Sequence, residues 1–121
     1  MKTDFTQSPL RNHLTRWIFV LLACVYCGAS LAADAVWIDV RTVEEYQEEH
    51  IPQAVNIPYD EIEAGVSAMD LKSDQTIYLY CGSGRRAGLA LETLESLGYT
   101  EVKNLGGLED AEEFAAEQSS P

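Results

Sequence analysis

The feature that most constrains the fold is a β-branched and aromatic run that leads directly into a glycine-rich loop and then a helix. Residues 76–80 (TIYLY) predict a buried strand, and the loop Cys81–Arg86 (CGSGRR) follows without a break. A helix is predicted from about Ala87 to Leu97, and Gly98 ends it. Its apolar face is predicted to consist of Leu89, Leu91, Leu94 and Leu97. A loop between a strand and a helix is where parallel sheets place binding sites.

The rest of the chain alternates between short strands and helices in the same way. Strands are predicted at residues 36–40, 54–57 and 101–105, and helices at 42–49, 60–69 and 108–116. Thr42 and Glu45 form a capping-box pattern at a helix start, Gly106-Gly107 predicts a turn, and residues 117–121 predict a loose tail. The pattern predicts an α/β fold: one domain with a mostly parallel central sheet flanked by helices.

The first 32 residues differ from the rest of the chain and predict a secretory signal. A basic start is followed by the apolar run Trp17–Cys27 and then by small residues, with cleavage expected after Ala32. Two alternatives remain open: an uncleaved membrane anchor, and lipidation at Cys24 within a lipobox-like Leu-Leu-Ala-Cys. Each delivers residues 33–121, the predicted folded domain, across the membrane, most simply into a bacterial periplasm.

Charge and residue usage limit the classes of partner. The whole chain has 8 Lys and Arg against 20 Asp and Glu; residues 33–121 keep 5 and 19, a charge of −14. Such a surface argues against nucleic acid and anionic membranes as partners. This part keeps one histidine, His50, and one cysteine, Cys81, so neither a metal site nor a Cys-His dyad is expected. We expect a monomer without a cofactor.

The surroundings of Cys81 favour an anionic sulfur. Gly82 and Gly84 let successive backbone N–H groups turn towards an anion, and the start of the following helix adds partial positive charge. Arg85 and Arg86 supply permanent cations. The pKa of the thiol is therefore expected below its ordinary value of about 8.5. The alternative, a buried structural cysteine, would predict an apolar neighbourhood instead.

Three motifs in order resemble the rhodanese family. The first is Ile38-Asp39-Val40-Arg41 with Glu45-Tyr46 and His50–Pro58, the second is Cys81–Gly88, and the third is Leu105-Gly106-Gly107-Leu108. The sequence departs from the family pattern at three positions. Glu49 and Gln53 replace usual glycines, and Ala111 stands where a tryptophan is common.

The resemblance implies a thiosulfate sulfurtransferase. Cys81 would take the outer sulfur of thiosulfate as a persulfide and pass it to a thiophilic acceptor such as cyanide or a thiol. Backbone N–H groups of Gly82, Ser83, Gly84, Arg85 and Arg86 would hold the persulfide. Either Arg85 or Arg86 would bind the sulfonate end of the donor, and the other would pair with Asp39. Structural support would come from Asp39, Arg41 and Glu45.

Two other functions compete with this interpretation. The family of cysteine phosphatases places arginine six positions after the cysteine, where this chain has Ala87, so the loop is one residue too short for phosphate. A persulfide carrier or interaction module that docks one partner protein is the second rival, and an intact Cys81 loop is compatible with the carrier.

Overall fold

A computed structural model describes residues 34–121, so the predicted signal segment, Cys24 and Ala32 lie outside the described residues. The predicted α/β fold is confirmed by four strands: β1 (Val36–Asp39), β2 (Ala54–Asn56), β3 (Ile77–Cys81) and β4 (Val102–Gly107). They form one parallel sheet in the order β2-β1-β3-β4. The α-helices are α1 (Val43–Glu48), α2 (Ile62–Ser67), α3 (Arg85–Ser96) and α4 (Leu108–Ser119). Within this part of the chain, no helix combines the length and the apolar character needed to cross a bilayer.

Alternation along the strands builds a core on each face of the sheet. Ile38, Leu79 and Cys81 face α2 and α3, and pack with Val66 and Leu94. The intervening residues Trp37 and Tyr80 belong to the second core, beside α4. This period of two is what a sheet covered on both faces requires.

Ala111, which stands where the family commonly has tryptophan, is fully buried in the second core. Aromatic side chains from other elements pack around it. Trp37 lies 5.0 Å from Tyr78 and 5.9 Å from Phe114 between ring centroids, and Tyr78 contacts Phe114 edge-on at 5.0 Å. An indole from β1 therefore supplies aromatic bulk in the core that contains Ala111.

The predicted apolar face of α3 is partly wrong. Leu94 is buried, but Leu89 and Leu97 are 47% and 42% exposed, and the buried stripe runs through Ala87 and Ala90 instead. Small alanines let the helix backbone lie close to the sheet, so Leu89 and Leu97 remain exposed, whereas Leu91 packs against the core and is partly buried. The helix also begins two residues earlier than predicted, at Arg85, and this places both arginines in its first turn.

Two further predictions differ from the structure near the chain end. Gly106 and Gly107 end β4 instead of forming a separate turn, with an irregular register opposite Leu79–Cys81. The terminal helix continues to Ser119, into the segment predicted as a loose tail. By contrast, the capping box at α1 is confirmed: Thr42 Oγ1 accepts from the Glu45 N–H at 3.2 Å, and Glu45 Oε2 accepts from the Thr42 N–H at 2.9 Å.

Candidate active site

Cys81 lies where the fold brings the ends of its two central strands together. Asp39 of β1 pairs in register with Tyr80 of β3, so the carboxyl end of β1 lies beside Cys81. The chain then turns through Gly82 and Ser83, both exposed, and enters α3 after Gly84, whose φ of 87° is left-handed. Cys81 itself has no exposed surface. The turn therefore encloses the thiol at the positive end of a twelve-residue helix.

Backbone N–H groups converge on the sulfur of Cys81. The Gly84 N–H donates to Sγ at 2.9 Å. Burial raises the pKa of the Cys81 thiol, but hydrogen bonds from the N–H groups of Ala87, Ser83, Gly84 and Arg86 lower it by more, so the pKa lies below its ordinary value. Ala87 lies one residue beyond the predicted set Gly82–Arg86. These N–H groups, called the amide ring below, stabilise a thiolate.

Arg86 pairs with Glu45 and not with Asp39, which corrects the predicted arrangement. Its Nη1 and Nη2 donate to the two carboxylate oxygens of Glu45 at 2.7 and 3.0 Å. This pair raises the pKa of Arg86, and the nearby Cys81 sulfur adds to the effect. The hydrogen bonds from Arg86, followed by those from Thr42, lower the pKa of Glu45 to about 2. Glu45 thus joins α1 to the first turn of α3, beside Cys81.

Asp39 is occupied by Arg41. The Asp39 carboxylate accepts from the Arg41 backbone N–H at 2.9 Å and from its Nη2 at 2.7 Å, and both residues are buried. Arg41 Nη2 also donates to the Glu49 carbonyl. Asn56 Nδ2 donates to the carbonyls of Asp39 and Arg41 at 3.0 Å each. These bonds fix the end of β1 and bring β2 against it, beneath the loop.

Arg85 is exposed and makes no ion pair within residues 34–121. It lines a cleft of about 380 Å³ at the mouth of the loop, together with Ser83, Arg86, Tyr59 and Leu89. Of the two loop arginines, Arg85 is therefore the cation available to an anionic ligand. Ala87, where a phosphatase would need arginine, is fully buried and carries no charge.

Sequence reasoning missed the residues that form the rear wall of the loop. Asn104 Nδ2 donates to the Gly84 carbonyl at 2.9 Å, and Asn104 Oδ1 accepts from the Gly106 N–H at 2.9 Å. Asp110 Oδ2 accepts from the Gly107 N–H at 2.9 Å. The only signal for Asp110 was its place three residues after Gly107, which is where a helix cap finds its reciprocal carboxylate.

Two close backbone approaches hold the loop against β4. A side chain at Gly107 would bring its Cβ within 2.7 Å of the Gly82 carbonyl oxygen, and one at Gly84 within 3.1 Å of the Gly106 Cα. Gly84 and Gly106 also have positive φ values, of 87° and 95°. The loop and the end of β4 can therefore lie this close together only because these glycines have no side chains.

Comparison with known proteins assigns this domain to a known family. The profile of the rhodanese-like domain matches residues 26–113, and the chain belongs to that family. It is a rhodanese-like sulfurtransferase. One relative is the thiosulfate sulfurtransferase PspE of Escherichia coli K12, 43% identical over 89 residues, which cover 74% of this chain and 85% of that protein.

Further comparisons agree on the fold and broaden the range of relatives. A rhodanese from E. coli solved with anions superposes with a TM-score of 0.61 at 43% identity, covering 64% of this chain and 91% of that one. The putative sulfur carrier protein YrkF of Bacillus subtilis is 41% identical over 68 residues. That match covers 56% of this chain and 36% of the longer relative.

Proposed function

We propose that this chain is a thiosulfate sulfurtransferase that carries sulfur on Cys81. The observation that carries the proposal is the hydrogen bond of 2.9 Å from the Gly84 N–H to the Cys81 sulfur, together with the further loop N–H groups that lower the pKa of the thiol. These donors stabilise a thiolate before the reaction and a persulfide anion after it. The similarity to the E. coli thiosulfate sulfurtransferase supports thiosulfate as the donor.

In the first half-reaction the Cys81 thiolate attacks the outer sulfur of thiosulfate. A new S–S bond forms to Sγ, the S–S bond of thiosulfate breaks, and its electron pair leaves with sulfite. Arg85, exposed at the mouth of the cleft, binds the sulfonate oxygens of the donor. The donor enters across the exposed Gly82 and Ser83, because Cys81 has no exposed surface of its own.

In the second half-reaction a nucleophile attacks the outer sulfur of the persulfide and Cys81 leaves as the thiolate. Cyanide serves as this acceptor in an assay, and a thiol serves equally well in chemical terms. Cys81 is the only cysteine in residues 34–121, so no second thiol of the described domain can take over the sulfur. The acceptor is therefore external to this domain.

Asp39, Arg41 and Glu45 have a supporting task in this proposal. The buried Asp39–Arg41 pair fixes the strand end under the loop, and Glu45 orients Arg86 beside the sulfur. The domain comprises residues 33–121 and is exported, most simply to a bacterial periplasm, by the signal predicted in residues 1–32.

Intact mass measurement tests the proposal. The purified protein is incubated with thiosulfate, weighed, and then treated with cyanide while thiocyanate is measured. We expect a mass gain of one sulfur atom that cyanide removes and that is absent from Cys81→Ser. The proposal fails if wild-type protein gains no sulfur, or if the gain persists in Cys81→Ser.

A sulfur carrier is the second candidate, and the similarity to the putative carrier of B. subtilis favours it. A carrier would load from thiosulfate once and release sulfur to cyanide slowly, whereas an enzyme would form many thiocyanate molecules per Cys81. Counting thiocyanate per protein over time separates the two.

A further inference from the structure

A groove leads away from the mouth of the active loop along α3. It lies between α3 and the segment formed by the short 3-10 helix Tyr59–Glu61 and α2, and encloses about 580 Å³. Tyr59 and Leu89 line both this groove and the cleft that contains Ser83 and Arg85. The two spaces therefore meet at these two side chains, and a molecule lying in the groove reaches the loop over Cys81.

The meeting point is apolar and exposed. Tyr59 is 40% exposed and Leu89 is 47% exposed, although most large apolar side chains of the described domain pack in its cores. Single exposed apolar residues are common on protein surfaces. Two that share a groove beside a reactive cysteine indicate a contact surface.

The remaining groove residues carry negative charge. Asp60, Glu63 and Glu92 line it, all exposed, and none of its lining residues is a lysine or arginine. None of these three carboxylates has an ion-pair partner among residues 34–121. No basic residue lines the groove itself, and the domain as a whole adds to its negative charge with five basic against nineteen acidic residues.

The negative charge of the groove indicates which kind of molecule can bind there. A second copy of this chain would bring the same net charge of −14 against the groove, and small anions are repelled by its three carboxylates. A positively charged segment that also has an apolar side chain matches both properties. Such a segment can lie along the groove and present a nucleophile at the loop.

We propose that this groove binds a cationic segment of an acceptor protein, and that a cysteine in that segment takes the sulfur from Cys81. The proposal rests on the proposed function. The acceptor thiolate attacks the outer sulfur of the Cys81 persulfide, the S–S bond to Sγ breaks, and Cys81 recovers its electron pair as a thiolate. The acceptor leaves as a persulfide, with no oxidant or reductant consumed.

The test compares two peptide acceptors on the full-length chain loaded with sulfur. The peptides have equal length and share one cysteine and one leucine; one has lysines where the other has glutamates. Each rate is divided by the rate of the same protein with 2-mercaptoethanol, an uncharged thiol. This ratio corrects for differences between protein variants in the intrinsic reactivity of the loop. We expect the cationic peptide to react about tenfold faster, and its advantage to shrink with added salt.

Two matched variants locate the effect. Asp60→Asn/Glu63→Gln/Glu92→Gln neutralises the groove, and Glu112→Gln/Glu113→Gln/Glu117→Gln makes the same charge change on exposed positions of α4. The groove variant should lose most of the cationic preference and the α4 variant should keep it. Likewise, Leu89→Ser should raise the peptide KM several-fold more than Leu97→Ser, a substitution of another exposed leucine, which directly follows the C-terminal end of α3.

Equal rates for the two peptides, or equal effects of the two triple variants, would overturn the proposal. A dimer of this chain that Leu89→Ser dissolves, seen by light scattering, would do so as well. Loading is followed separately by mass, so a failure with thiosulfate counts against the proposed function only. In that case polysulfide loads Cys81 and the peptide comparison proceeds unchanged.

Discussion

At the scale of single residues, the two arginines of the loop are not equivalent, although they are adjacent in sequence. Arg86 is committed to Glu45 by two hydrogen bonds, whereas Arg85 is exposed at the mouth of the cleft. The difference follows from the early start of α3, because consecutive helical residues point about 100° apart. One guanidinium therefore faces α1 and the other faces the solvent.

This asymmetry predicts different consequences for donor binding. Arg85→Gln should raise the KM for thiosulfate about 10- to 100-fold, the range expected for losing hydrogen bonds to a charged group. Steady-state kinetics over a range of thiosulfate concentrations measures it. Lys72→Gln removes an exposed cation elsewhere and should leave the KM within twofold. An unchanged KM in Arg85→Gln would assign the sulfonate to another group.

A pair of glycine substitutions tests how closely the loop packs on β4. Gly84 and Gly98 both have positive φ, 87° and 97°, but an added Cβ meets Gly106 at 3.1 Å in the first case and nothing within 4 Å in the second. Gly98→Ala should cost about 1 kcal/mol of unfolding free energy from backbone conformation alone. Gly84→Ala should cost about 2–3 kcal/mol and also slow persulfide formation. Urea unfolding and mass measurement report both effects, and equal costs would contradict the close approach.

At the scale of elements, Glu45 connects local and long-range structure. Its Oε2 caps α1 through the Thr42 N–H, and the same carboxylate binds Arg86 of α3, 41 residues away in sequence. A single side chain thus sets the start of one helix and holds the first turn of another. This makes α1 part of the support for the loop, although it contributes no atom to the amide ring.

The bonds of Glu45 to Thr42 and Arg86 predict that wild type and Glu45→Gln differ in unfolding free energy by an amount that depends on pH. The pKa of Glu45 is about 2 in the folded protein and about 4.3 in an unfolded chain. Its contribution is therefore complete above about pH 5 and is lost as the pH falls towards 2. Glu45→Gln should be less stable by about 1 kcal/mol at pH 7, a modest value because the carboxylate is 36% exposed. Urea unfolding of both proteins at several pH values measures the gap, and a gap that widens in acid would refute it.

Local sequence patterns predicted the helices and strands well, but they predicted the contacts between these elements poorly. The capping box at Thr42 follows from residues three positions apart, and the strand at Ile77 from side-chain types alone. The pairing of Arg86 with Glu45 depends on how α1 and α3 meet over the sheet, which no local pattern encodes. The prediction for the apolar face of α3 was partly wrong for a related reason. Alanines allow the helix to pack closer to the sheet than leucines do, and this packing is visible only in the tertiary structure.

At the scale of the whole molecule, the charge distribution opposes the chemistry proposed for the loop. The domain carries nineteen acidic residues, and its proposed donor is a dianion. Among the described residues, the amide ring and Arg85 attract that donor, and they act over short distances. Over longer distances the net charge prevails, because at low salt the screening length reaches about 30 Å.

This balance predicts an unusual salt dependence. As salt is added from about 0.01 M, kcat/KM for thiosulfate should first rise, because long-range repulsion is screened first, and then fall as the local attraction is screened. Initial-rate measurements across ionic strength test this, with sucrose as the control for viscosity. A monotonic fall would mean that the loop cations alone govern the approach of the donor.

The glycine contacts between the loop and β4 also bear on how such a protein evolves. On its β4 side the loop has no space to expand, because a Cβ at Gly107 would lie 2.7 Å from the Gly82 carbonyl oxygen and one at Gly84 would lie 3.1 Å from the Gly106 Cα. An insertion that moved the loop towards β4 would therefore need a compensating change at Gly106 or Gly107. We expect these two segments, which are far apart in sequence, to change together during evolution.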